Sequence, residues 1–146
     1  MNDNLVMFSC AEDTGWMSHQ LTIVICEKMY AVCQLEPAAM VPTWAEGPEF
    51  VSITRTASEL SIVCQQDMLP GDVRAEKNRR LMRIEGKLGF ELTGVLASVT
   101  APLSKAELSI FAISTYDTDY LLIAGEDLQK ATEMLEAAGH TIQQSR

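Results

Sequence analysis

The stretch Thr93-Gly94-Val95-Leu96 carries the chain's most usable chemistry. It opens an apolar-periodic segment directly after a loop, which is where a helix begins. The first backbone N–H groups of a helix lack internal partners and carry partial positive charge. Gly94 has no side chain to hold a guest away from that backbone. A carboxylate suits such a place. Further along, Ser114-Thr115-Tyr116-Asp117-Thr118-Asp119 offers hydroxyls, carbonyls and acids. Those groups suit an ammonium or another cation. A zwitterion needs both ends satisfied, and the two stretches together can supply both. The plainer alternative is architectural: Thr93 caps the helix, Gly94 eases packing and Asp119 caps a hairpin.

Catalysis needs a nucleophile, a base or a metal in mutual reach. The chain has no nucleophile elbow, phosphate loop, His-Glu-x-x-His or cysteine–histidine signature. No enzymatic activity and no cofactor are therefore expected. Cys10, Cys26, Cys33 and Cys64 form no C-x-x-C pair. Three of them lie in or beside β-rich apolar segments, where free cysteine behaves as a small hydrophobe. Reduced core thiols are expected, with disulfides the alternative. His19 and His140 belong to no metal-ligand spacing. His140 reads as a strand-edge residue rather than a general base. Asp117 and Asp119 would share a face if both lay on one strand, but Asp117 reads as a turn residue and Asp119 as the start of a strand.

The composition narrows the partners. A net charge of -9 repels phosphate backbones, so nucleic acid is not an expected partner. The basic cluster of Arg79, Arg80 and Arg83 with Lys77 nearby reads as a solvated face balancing nearby acids. The longest early apolar run is Leu5 to Phe8, and Asp3 stands where a leader would carry basic residues. No stretch approaches the roughly 20 apolar residues needed to span a membrane. A cytoplasmic protein is expected. With 47% hydrophobic residues in 146, the chain can bury a core as one domain or two very small ones.

The elements that would position these residues follow from pattern. Residues 1 to 16 lack periodicity and read as a flexible extension. Leu21 to Cys26 and Tyr30 to Leu35 read as strands, followed by a connection punctuated by Pro37, Pro42 and Gly47. Val51 to Thr56 and Leu60 to Cys64 read as a hairpin around Ala57-Ser58. Asp72 to Arg80 is polar and could hold a short helix, and Leu81 to Glu85 reads as the next strand. A loop from Gly86 leads to a helix over Gly94 to Ala106, with Val95, Leu96, Val99 and Leu103 on one face. Pro102 should bend its last turn. Leu108 to Thr115 and Asp119 to Ala124 read as strands around a turn at Tyr116-Asp117-Thr118. A second helix starts near Glu126 and Asp127, with Leu128, Ala131, Leu135 and Ala138 as its buried stripe. Gly139 follows as its C′ residue. His140-Thr141-Ile142 reads as a last short strand.

The second half thus reads β-α-β-β-α-β, the ferredoxin-like order. A shift of about sixty residues maps Ile53 onto Ile113, Ile62 onto Leu122, Asp67 onto Asp127 and Pro42 onto Pro102. That gap-free register argues for two copies of one unit. The expected fold is α+β: two βαββαβ units with antiparallel sheets packed side by side. The expected segments are an extension over 1–16, a degenerate unit over 17–82 and a second unit over 83–146.

Phe90-Glu91-Leu92-Thr93-Gly94-Val95-Leu96, Ala101-Pro102-Leu103 and the run Ile110 to Asp119 resemble the ACT domain of the CASTOR-type group. That group includes small bacterial tandem-ACT proteins and animal cytosolic arginine sensors. The first half, with Ala31-Val32-Cys33, Pro42-Thr43-Trp44-Ala45 and Ser52 to Thr56, is similar to the degenerate leading unit of the bacterial members. The resemblance implies a regulatory, ligand-binding fold, often a homodimer, with an amino-acid-like ligand. It implies binding roles for Gly94, Val95, Thr115, Tyr116 and Asp119, to which the chemistry above adds Thr93 and Ser114. Leu92 departs from the arginine sensors, which carry an acid there, so the expected guest is an amino acid rather than arginine in particular. Edge pairing of an apolar strand such as Asp119 to Ala124 also favours a dimer. The alternative is a structural or interaction module with a vestigial pocket plugged by Leu92 or Tyr116. An enzyme on the same scaffold would require His140 or a cysteine to meet an acid in a cleft.

Overall fold

Thr22-Ile23-Val24-Ile25 is β-branched throughout, and such side chains fit a pleated, half-buried surface. They open β1 (Thr22–Leu35), the longest strand of a computed structural model that describes residues 19–145. β2 (Ser52–Arg55), β3 (Leu60–Gln65) and β4 (Ala75–Ile84) follow, then α1 (Val95–Lys105), β5 (Ile110–Ser114), β6 (Asp119–Ala124), α2 (Leu128–Ala137) and β7 (Thr141–Gln144). Single 3-10 turns lie at Thr43–Ala45, Gln66–Met68 and Gly125–Asp127. The expected extension over 1–16 lies outside the described residues.

The strands form one mixed sheet in the order β2-β3-β1-β4-β6-β5, with β7 parallel to β1. Expected side-by-side sheets are therefore one continuous sheet. The reason is that β1 and β4 are long enough to serve both halves. The first part of β1 pairs with β7 and with the end of β4, and its second part pairs with β3 and the start of β4. Both helices cover one face of the second half. Val99, Leu103, Ala131 and Leu135 pack there on Ile23, Ile25, Met82, Ile84, Leu121 and Ile123. Each fully buried Val, Leu, Ile or Met among them contributes about 1.5–3 kcal/mol. Leu81 and Leu122 alternate with these, so they point to the opposite face, where they meet Tyr30 and Val63. Ala31, Cys33, Leu60, Ile62 and Cys64 make a third cluster in the first half. The sheet curls until its two edges approach: Ser52 and Thr54 of β2 share a cleft with Ala112, Ile113 and Ser114 of β5.

Three local expectations are corrected. The segment 72–80 is no helix, and most of it is the start of β4. Its polar residues favour a helix locally, but its backbone completes the open side of β1, and tertiary pairing overrides propensity. Asn78 sits there at φ 58, a left-handed conformation asparagine tolerates. The Gln66 side chain holds it through Asn78 N–H→Oε1 at 2.5 Å and Nε2–H→Oδ1 at 3.1 Å. The polar residues Glu27 and Lys28 do not divide β1 into two strands. They form a bulge between Ile25 and Met29. Arg80 clamps it, donating from Nε and Nη2 to the Cys26 carbonyl at 3.3 and 2.9 Å. Arg79 and Arg83 instead contact Glu76 and Glu85.

His140 is the third correction. It is no strand-edge residue but 95% removed from solvent, at 5% exposure. Its Nδ1 accepts the Leu21 N–H at 3.3 Å, so its Nε2 carries the proton and donates to the Ser98 carbonyl at 3.0 Å. That carbonyl needs a donor because the residue four positions on is Pro102, which has no N–H. α2 ends as Gly139 predicts: at φ 95 its N–H bonds Glu136 O, and His140 N–H bonds Leu135 O. Cys26, Cys33 and Cys64 are free thiols, while Cys10 lies outside the described residues. A hydrogen bond with Cys64, and then burial, pushes the Cys33 thiol up.

Candidate functional site

Helix α1 starts without a side-chain cap. Gly94 occupies the N-cap position at φ 76 and ψ 0, and its carbonyl accepts the Ser98 N–H at 2.9 Å. A left-handed N-cap favours glycine. Thr93 is therefore not the cap. It is exposed, and its carbonyl bonds His19 Nε2 at 2.9 Å. The uncapped first turn leaves backbone N–H groups from Val95 onward as donors, with the helix dipole behind them.

Facing this turn is the β5–β6 hairpin. Its corner is fixed by its own hydroxyls. Thr115 N–H and Oγ1–H both donate to the Thr118 carbonyl, at 2.9 and 3.0 Å. Thr118 Oγ1–H, buried, donates to the Ile84 carbonyl at 2.8 Å and ties the corner to β4. Ser114 and Asp119 are cross-strand partners, and Ser114 Oγ donates to Asp119 Oδ1 at 2.5 Å. Asp119 opens β6, as the spacing predicts. Asp117 lies in the turn between the strands, where its carbonyl accepts the Leu88 N–H at 2.7 Å.

Between the helix start and the hairpin lies a cleft of about 350 Å³. Gly94, Val95, Ser114, Thr115, Tyr116 and Asp119 all line it, and Thr93 does not. The two stretches singled out in the sequence are thus brought together across one cavity. The loop wall completes the cleft: Leu92, named from the sequence as a candidate plug, lines it together with Leu88, Gly89 and Phe90, which the sequence reading did not assign to the site. Phe90 meets Tyr116 edge to face, ring centroids 5.1 Å apart. The available signal was the position of these residues immediately before the helix. Lys87 approaches Asp117 at 3.9 Å, both largely exposed, and such a pair contributes little. One wall thus offers N–H donors at a positive helix end, and the other offers carboxylates and hydroxyls. Among the described residues no group of three or more His, Cys, Asp or Glu could hold a metal. No described helix is long and apolar enough to cross a membrane.

A seven-stranded α+β sheet with paired helices on one face and a cleft at a helix start defines a class of small domain. An ACT-domain family model matches residues 74–137, the span that holds this cleft, and a second model, for an N-terminal domain, matches residues 28–72. Residues 74–137 therefore carry an ACT domain. A solved structural-genomics protein of Agobacterium tumefaciens is 38% identical, covering 88% of this chain and 96% of that one, with a TM-score of 0.84. The cytosolic arginine sensor for mTORC1 subunit 1 of Bos taurus is 34% identical over 58 residues, 39% of this chain and 18% of the sensor. The chain thus matches only a small part of that curated relative's length. Clostridium acetobutylicum aspartate kinase shares the fold at 16% identity and a TM-score of 0.63, over 82% of this chain and 35% of the kinase.

Proposed function

We propose that this chain is a non-catalytic regulatory module that binds a small amino-acid-like zwitterion in the cleft between α1 and the β5–β6 hairpin. One observation carries the reading: a cation-seeking carboxylate and an anion-seeking helix start face one cavity. The ligand carboxylate would meet the N–H groups around Gly94 and Val95, and Asp119, helped by Thr115, would face its ammonium. The printed name of the Bos taurus relative, an arginine sensor, supports an amino-acid class. Leu92 on the cleft wall supplies no charge for a guanidinium, so the guest is written as an amino acid.

The wider reading is a pair of ACT-type units, over 17–82 and 83–146, acting as a homodimer in the cytoplasm. The strand order β4-β1-β3-β2 in the first half supports a ferredoxin-like unit whose helices have shrunk to single turns. The second half has β5 beside β6, β6 beside β4, and β7 across an inserted β1. A vestigial pocket is disfavoured because its expected plugs are not buried: Tyr116 is 81% and Leu92 45% exposed.

The test is a thermal-shift screen against the twenty amino acids, then calorimetric titration of the best binder. A ligand at 100 times its Kd should stabilise the fold by about 2.7 kcal/mol. Asp119→Asn keeps the shape and removes the charge. A charge-assisted hydrogen bond contributes about 1.5–3 kcal/mol, so binding should weaken about tenfold to a hundredfold. Unchanged binding refutes the assigned role, and an unfolded variant shows that Asp119 is a structural cap.

A further inference from the structure

The curled face of the sheet away from the helices holds a second, larger cavity, of about 480 Å³. It lies outside the cleft at Gly94 and shares no lining residue with it. Its floor is apolar and almost fully buried: Val24, Tyr30 and Leu81. One wall is aromatic, with Phe50 against Tyr120 at 4.3 Å between ring centroids and 35° between planes, and Tyr30 edge-on to Phe50 at 6.3 Å. Such a wall accepts a further flat ring in offset or edge contact. A concave apolar site with a few polar groups is the usual form of a small-molecule pocket.

The polar groups at this cavity select the guest. Arg83 lines it and spends one Nη on Glu85, at 2.5 Å. A guanidinium has five N–H donors in a fixed fork. The rest can receive a carboxylate in the two-point geometry that arginine favours. Lys28 also lines the cavity, held only loosely to Asp67 at 3.9 Å. Glu27 and Glu49 stand at the same cavity and are exposed. With Glu85 on Arg83, the acids balance these cations, so a multiply charged anion such as phosphate is disfavoured and a carboxylate is held by the two-point fork of Arg83 rather than by net positive charge. At the floor, burial pushes the Tyr30 phenol up to about 12 and keeps it neutral.

We propose that this face is a second ligand site, for a small monocarboxylate with a flat apolar body, anchored by Arg83 and stacked on Phe50 and Tyr120. Tyr30 and Phe50 come from the span that matches the N-terminal family model. Leu81, Arg83 and Tyr120 come from the ACT-matched span. An occupant would therefore touch both halves at once.

The test uses the full chain, with indole-3-acetate as the probe and uncharged indole as its control, followed by calorimetry and amide NMR. Expected are shifts at Cys26, Phe50, Arg83 and Tyr120, weaker binding of indole, and a tenfold or greater loss for Arg83→Gln. Arg83→Lys should retain part of the affinity, and Asp119→Asn should bind the probe as the parent does. Phe50→Leu keeps apolar volume but removes the ring, so it should also weaken binding and serves if Arg83→Gln fails to fold. The proposal is overturned by an absence of shifts at millimolar probe, by shifts at the Gly94 cleft instead, or by equal binding of indole and indole-3-acetate.

Discussion

His140→Ala should destabilise the fold, and the reason it does so can be isolated. The imidazole satisfies two backbone groups: the Ser98 carbonyl at 3.0 Å and the Leu21 N–H at 3.3 Å. Ser98 is buried, at 4% exposure, so its carbonyl cannot turn to water. A buried polar group left without a partner costs about 1–3 kcal/mol, and losing the part-buried Leu21 bond adds about 0.5–1.5 kcal/mol. The total of about 2–4 kcal/mol should lower Tm by roughly 6–15 °C in a chain of this size. The specific claim is that the histidine compensates for Pro102. Pro102→Ala returns an N–H to the helix, so Ser98 regains its intrahelical donor. In that background His140→Ala should cost about 1–2 kcal/mol less. The assay is a double-mutant cycle by urea denaturation, in which the packing cost of Pro102→Ala cancels. Distant sites add within about 0.5 kcal/mol. A coupling energy no larger than that would refute the link between proline, carbonyl and histidine.

Arg80→Leu should cost about 1.5–3 kcal/mol by leaving the bulge carbonyl of Cys26 without its cationic donor, read as a lower urea midpoint. Glu107 sits at φ 59 just past α1, where a non-glycine residue is strained. Glu107→Gly should therefore raise stability by up to about 1 kcal/mol in the same assay. Tyr30 gives a pH signature. Its phenol is pushed up to about 12, chiefly by burial, against about 10 unfolded. Below about pH 10 both states are neutral and the stability is fully present. Above it the unfolded phenol ionises first, so stability falls toward pH 12 at up to about 1.4 kcal/mol per unit. Tyr30→Phe should flatten that fall between about pH 10 and pH 12, and an equally steep loss in the variant would refute the assignment.

Local chemistry made much of this protein legible. The 3.6-residue spacing of Val95, Val99 and Leu103 predicts a helix over Gly94 to Ala106, and the helix runs Val95–Lys105. The β-branched runs around Ile53 and Ile62 and the apolar runs around Ile113 and Leu122 lie in β2, β3, β5 and β6, and the sixty-residue register places β2 against β5 and β3 against β6 within a residue or two. The two stretches lining the Gly94 cleft were visible for the same reason: a glycine at a helix start and an acid at a strand start are local signals. Beyond Leu92 the loop wall was not visible, because the Phe90–Tyr116 contact joins residues far apart in sequence. Nor could pattern alone assign Ala75 to Arg80 to a strand, since those residues favour a helix until β1 offers them a ladder. Arg80 read as one charge in a basic run, yet it is a clamp, because only the fold brings the Cys26 bulge beneath it. His140 and Pro102 each carried a plain local meaning. Their partnership exists because α2 and β7 carry a ring nitrogen to the one carbonyl that the proline left without a donor. Sequence sets which backbone groups need partners, and only the packed chain decides which side chain arrives.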